Sequence, residues 1–187
     1  MMDKPRIEKA FSEILAAIGE NPSREGLRDT PRRIADMYED IFAGLDQDPS
    51  AVLNVFYQES HEEIVIVKDI PLYSICEHHF LPFHGLAHIG YIPKNGRIVG
   101  ISKLARVLDI LSRRPQLQER LTTQLADILM EKLDPLGVIV VIKAEHMCMS
   151  MRGVKKPGSM TVTSAIRGLF EHDAPAKAEA LQLFESR

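Results

Sequence analysis

The spacing of hydrophobic residues changes near residue 60, and that change limits the folds open to the chain. Before it, apolar residues recur at helical spacing: Ile7, Ala10, Phe11, Ile14, Leu15 and Ile18 in one stripe, Ile34, Met37, Tyr38 and Ile41 in another. Gly19 ends the first helix, and Asp29-Thr30-Pro31 opens the second, with Thr30 the expected N-cap and Pro31 the first helical residue. Pro49 is expected to begin a further short helical turn. After residue 60, 64–67 is a β-branched run, and 83–91 reads as extended up to Pro93 and the Asn95-Gly96 turn. A short strand is expected at 98–101, followed by a helix capped by Ser102 with Leu104, Val107, Leu108 and Leu111 on one face. A longer helix at 116–133 presents Leu117, Leu121, Leu125, Ile128 and Leu129. "GVIVVIKAEH" and "SMTVTSAIRG" are strands, and 175–187 is a last helix. Strands separated by a helical pair, without βαβ alternation, predict an α+β fold with a largely antiparallel sheet. The expected division is a helical extension over 1–60 and a sheet-bearing domain over 61–187.

None of the apolar runs in the 187 residues approaches the roughly 20 that a membrane helix needs, and the amino-terminal stretch lacks a signal-peptide core, so a cytoplasmic protein is expected. The net charge of −3 argues against general binding to nucleic acid or anionic membranes. The cations are nevertheless clustered: Lys103, Arg106, Arg113 and Arg114 in one group, Arg152, Lys155 and Lys156 in another. Solvated helix faces and loops would account for either group alone; together they suit a small polyanion in a pocket.

"ICEHHF", residues 75–80, spends four polar groups inside an apolar run, where each needs a partner. Cys76 and His79 have C-x-x-H spacing, which lets one turn present both to a single ion, and thiolate and imidazole are ligands that zinc prefers. The second cysteine, Cys148, follows His146 by two residues at the end of the strong strand. A set of Cys76, His79 and Cys148 provides three protein ligands and leaves a fourth position open, the arrangement of a catalytic zinc. It also leaves His78 and His146 for acid–base work. Short motifs of this kind arise by chance, and a lone cysteine is often a small buried hydrophobe; the conjunction favours a metal site.

Four stretches, "GENPSREGLRDTPRRIADMY", "SICEHHFLPFHGLAHIGYIP", "GISKLARVLDILSRRPQLQERLT" and "HMCMSMRGVKKPGSMTVTSA", together resemble GTP cyclohydrolase I, in order and over nearly the whole chain. The resemblance implies hydrolytic opening of the guanine imidazole ring of GTP at C8, release of formate, and rearrangement to 7,8-dihydroneopterin triphosphate, the entry to tetrahydrofolate and pterin synthesis. It implies the tunnelling fold, an antiparallel sheet with two helices on one face, assembled as a toroidal homodecamer with sites at subunit interfaces. Carried over by motif, the zinc ligands are Cys76, His79 and Cys148; His146 moves a proton near N7, and His78 assists at the ribose. Glu119 reads the guanine edge with help from Gln118, Ser102 contacts ribose or phosphate, and Lys103, Arg106 and Arg152 bind the triphosphate. His84 and His88 are expected to be sheet or interface residues, and His61 and His172 loop residues. One departure is Leu86, where many members carry lysine after the glycine. Two alternatives stand beside this reading: another tunnelling-fold enzyme acting on a purine or pterin, and a nucleotide-sensing or structural zinc protein that has lost catalysis.

Overall fold

Residues 2–54 and 56–186 are described by the structure, a computed structural model. The chain opens with α1 (Lys4–Ala17) and α2 (Thr30–Ile41), followed by two 3-10 turns, Ala43–Asp46 and Pro49–Val52. Lys4 bonds to Asp36 at 3.1 Å and also pairs with Glu39, and Phe11 meets Tyr38 edge-on, so the two helices hold each other. α2 starts one residue before the expected point. The Thr30 N–H already donates to Leu27 in the preceding turns, and Asp29 is the flanking residue, without a side-chain cap.

The strands are β1 (Phe56–Gln58), β2 (Val65–Cys76), β3 (Pro82–Ile92) and β4 (Arg97–Val99). They are followed by α3 (Ile101–Ser112), β5 (Pro115–Gln116), α4 (Gln118–Leu133), β6 (Gly137–His146) and the one-turn α5 (Met147–Ser150). The chain ends with β7 (Met160–Gly168), the one-turn α6 (Leu169–His172) and α7 (Ala174–Glu185). Five strands form a sheet in the order β5-β2-β3-β6-β7, antiparallel except where β5 meets the end of β2; β1 pairs separately with β4. β2 runs well past the expected 64–67. It crosses Asp69 by a bulge between Val67 and Ile70, with Asp69 at φ 57°, and it carries Pro71 without needing that residue's missing N–H on its largely unpaired outer edge.

Three sequence expectations shift here. The Gly100 carbonyl accepts from the Lys103 N–H, so Gly100 caps α3 and Ser102 lies exposed within its first turn. α4 begins at Gln118, because Pro115 and Gln116 instead pair in parallel with Ile75 and Cys76. His172 ends the helical turn of α6.

α3 and α4 lie on one face of the sheet. Their leucines (Leu104, Leu108, Leu121, Leu125 and Leu129 are fully buried) pack on Phe83, Ile89, Val138, Val140 and Ile142. Burying each such side chain contributes about 1.5–3 kcal/mol, which makes this the main core. This is the α+β arrangement the resemblance implied, an antiparallel sheet with two helices on one face. The opposite face carries a second, smaller core: α6 and α7 bring Phe170, Ala180 and Phe184 onto Ile139 and Val141. That covers one end of the face and buries His88 against Phe184, whereas Tyr73, Leu86 and Val162 remain exposed at the other.

Candidate metal and substrate site

The site forms where β2 and β6 end. Strand register puts Ser74 opposite Phe83, and Phe83 opposite His146, so both strand ends converge on one edge of the main core. Cys76, buried at the last position of β2, donates its N–H to the Leu81 carbonyl and accepts from Phe80, which takes φ 54° to close the turn. Glu77, left without a role by its sequence, forms a two-pronged bond with Arg120 at 2.5 and 3.0 Å. The Arg120 guanidinium holds the Glu77 carboxyl below its usual range. This fork ties the Cys76 turn to the first turn of α4.

β6 delivers His146, and α5 then turns Cys148 back toward Cys76. The ligand atoms of Cys76, His146 and Cys148 all lie within 4.8 Å of one another. Burial, and then the adjoining Cys76 thiol, push the Cys148 thiol up. A bound cation reverses that bias by stabilising thiolates, and two sulfurs with an imidazole suit a borderline-soft ion. The donor set therefore fits a metal site. The loop after α5 is held by Glu145, which accepts from Ser150 Oγ at 2.5 Å and from the Gly158 N–H at 2.9 Å.

His79 stands outside this three-residue group; its Nε2 accepts from Arg152 Nη1 at 3.1 Å. His146 stacks on Phe83 with ring centroids 4.6 Å apart and planes 5° apart, and its Nε2 lies 2.8 Å from Gln118 Oε1. Burial lowers the His146 pKa, opposed by the charge of Glu119. Beside these groups opens a pocket of about 270 Å³, lined by His78, Glu119, His146 and Cys148 among others. Glu119 is exposed in the first turn of α4; Gln118, one residue before it, is 1% exposed.

The fold thus brings together Cys76, His78, Gln118, Glu119, His146 and Cys148, with His79 and Arg152 bonded to each other nearby. Ser102, Lys103 and Arg106 do not line this pocket. Lys103 Nζ bonds to Asn54 at 3.3 Å, and Arg106 faces a separate hollow with Asp109 and Arg113. Sequence reasoning missed Phe83, Arg120 and Thr163, whose contributions come from cross-strand register and helix docking rather than from any local pattern.

Residues 7–185 match the family model described as GTP cyclohydrolase I. The protein named GTP cyclohydrolase 1 from Caldanaerobacter subterraneus subsp. tengcongensis is 61% identical over 187 residues, covering 100% of both chains. Its namesake from Carboxydothermus hydrogenoformans is 63% identical, over 98% of this chain and 95% of that one. A family match over almost the full length, joined by relatives of this identity across every segment that builds the pocket, establishes that the chain belongs to the GTP cyclohydrolase I family.

Proposed function

We propose that the protein hydrolyses GTP at C8 of the guanine, releasing formate and yielding 7,8-dihydroneopterin triphosphate for tetrahydrofolate or pterin synthesis. The observation that carries this reading is the Cys76, His146 and Cys148 cluster beside a pocket that also holds His78 and Glu119. Cys76 and Cys148 are suited to hold zinc, with His79 as the third ligand by the family's motif. Zinc bound there supplies the Lewis acidity that brings water to nucleophilic strength near neutral pH.

The chain's own residues do the rest. Glu119 accepts from the guanine ring N–H and exocyclic amine, a donor pair that adenine does not present. His146 moves a proton at N7, which makes C8 more electrophilic, and His78 serves proton transfer at the ribose. Ser102, Lys103, Arg106 and Arg152 bind ribose and triphosphate through charge-assisted bonds. The pocket is smaller than the roughly 300–1,000 Å³ typical of ligand sites. With Lys103 and Arg106 facing elsewhere, this supports a site completed by a neighbouring subunit, in a toroidal homodecamer. Residues 1–60 act as a helical extension on the tunnelling-fold domain of 61–187, in a cytoplasmic protein. Among the described residues, no helix is long and apolar enough to cross a membrane.

A second arrangement, with His146 as the third ligand, is favoured by its place beside the two cysteines. One experiment distinguishes the two: zinc content and formate release from GTP for Cys148→Ser, His79→Asn and His146→Asn. The expected result is that the first two lose zinc, while His146→Asn keeps it and loses formate release. Zinc loss in His146→Asn with retention in His79→Asn would make His146 the ligand. Absence of formate from the zinc-loaded unaltered protein would overturn the function.

A further inference from the structure

We propose that Gln118 is a positioning residue that holds His146 as its Nε2–H tautomer, rather than a contact for the guanine. This rests on the reading of His146 as the group that moves a proton during the reaction.

Gln118 opens α4 and is 1% exposed. One end of its side-chain amide lies 3.0 Å from the carbonyl oxygens of Ile142 and of Thr161, and 3.1 Å from Thr163 Oγ1. Carbonyl oxygens only accept, so the –NH2 end must face β6 and β7, and the orientation of the amide is determined by its surroundings. The amide oxygen then faces His146 Nε2 at 2.8 Å. An amide oxygen also only accepts, so Nε2 must carry the hydrogen, and in a neutral imidazole the lone pair is left on Nδ1.

The surrounding groups resist any rearrangement. Thr122 Oγ1 donates to the Gln118 carbonyl at 2.7 Å and shares a bond with Thr163 Oγ1 at 2.6 Å. Phe83 lies flat against the imidazole and holds its plane. Both polar atoms of the Gln118 side chain are bonded within the protein, the nitrogen to β6 and β7 and the oxygen to His146, and the residue is 1% exposed. Among the described residues no hydrogen bond to Nδ1 of His146 competes with this arrangement, so the contact with Gln118 at Nε2 alone fixes the tautomer.

The first readout is the ring ¹⁵N spectrum of the full-length protein with labelled histidine, with His146 assigned by its loss in His146→Asn. A protonated Nε2 and an unprotonated Nδ1 are expected; the Nδ1–H form, or an exchanging mixture of the two, overturns the proposal. The second readout is steady-state kinetics of Gln118→Met, which keeps the chain length and abolishes the bond to imidazole. The expected result is a fall in kcat of about 100-fold with KM for GTP little changed, the signature of impaired proton transfer. A raised KM with kcat retained would instead make Gln118 a substrate contact and overturn the proposal. If Gln118→Met does not fold, the tautomer measured on the unaltered chain decides. Failure of the unaltered protein to release formate from GTP would overturn the proposed function instead, and the tautomer would remain readable separately.

Discussion

Replacing Gly85 with alanine tests whether the close approach of β3 to β6 is what seats the site. A Cβ added at Gly85 would lie 2.6 Å from Ala144 Cα and 2.8 Å from the Lys143 carbonyl carbon, and closer still to the Lys143 oxygen. Ordinary contacts between carbons are about 3.5–4.0 Å, so the two strands would have to part by about 1 Å. A ladder bond stretched by that amount is largely lost, because N–H···O bonds span about 2.7–3.2 Å. Each backbone group left unpaired costs about 1–3 kcal/mol, so losing one donor and one acceptor costs about 2–6 kcal/mol. That is a large part of the roughly 5–15 kcal/mol that holds a typical domain together. The clash falls two residues from the Phe83–His146 pair, so the imidazole moves as well. A shift of about 1 Å at a catalytic group can lower turnover by about 100-fold. Urea unfolding should therefore show a lower midpoint at unchanged slope, and formate release should fall further than the folded fraction does. A loss of stability under about 1 kcal/mol, together with unchanged turnover, would refute the reasoning, because it would mean that the strands yield without cost.

Two further outcomes follow from buried groups outside the site. His88 is buried beneath α7, with Nδ1 accepting from the Asp69 N–H at 3.2 Å; burial lowers its pKa, Asp69 opposes this, and Lys143 and Lys68 add to it. The unfolded chain therefore binds this proton more readily, and the contribution of His88, complete above about pH 6.5, is lost as pH falls toward the depressed folded value. The slope is at most about 1.4 kcal/mol per pH unit for one proton, and His88→Gln should flatten that part of the urea midpoint profile between pH 7.5 and 5.5. Tyr91 and Val99 are 1% and 3% exposed, and the Val99 N–H donates to the Tyr91 hydroxyl at 3.2 Å. Tyr91→Phe leaves that donor unpaired and should cost about 1–3 kcal/mol in urea unfolding, whereas no measurable change would show the donor to be satisfied by another route.

Features encoded by near neighbours were legible in the chain itself. "GVIVVIKAEH" forms β6 over the predicted residues, and the leucines of α3 and α4 are buried as their spacing required. Helix starts were displaced at Thr30 and Ser102, because the preceding turn or strand supplies the first carbonyl partner and a capping-type residue alone does not set the boundary. The β-branched run marks only the start of β2, because Asp69 and Pro71 interrupt its pattern; a bulge and an unpaired edge carry the strand onward to Cys76.

At the site the division has the same cause. By itself the sequence determined the donor types, their local spacing in "ICEHHF" and "EHMCMS", and membership of the family through motifs spread over the chain. Only the tertiary structure decided which groups meet. It set His146 beside the two cysteines, paired His79 with Arg152, and used the buried Gln118 as a link between strand carbonyls and an imidazole. It also turned Glu77 from an unassigned acid into the partner of Arg120. The physical reason is that spacing acts through a few bonds of stiff backbone, whereas these meetings depend on sheet register and helix docking, which the whole core sets at once.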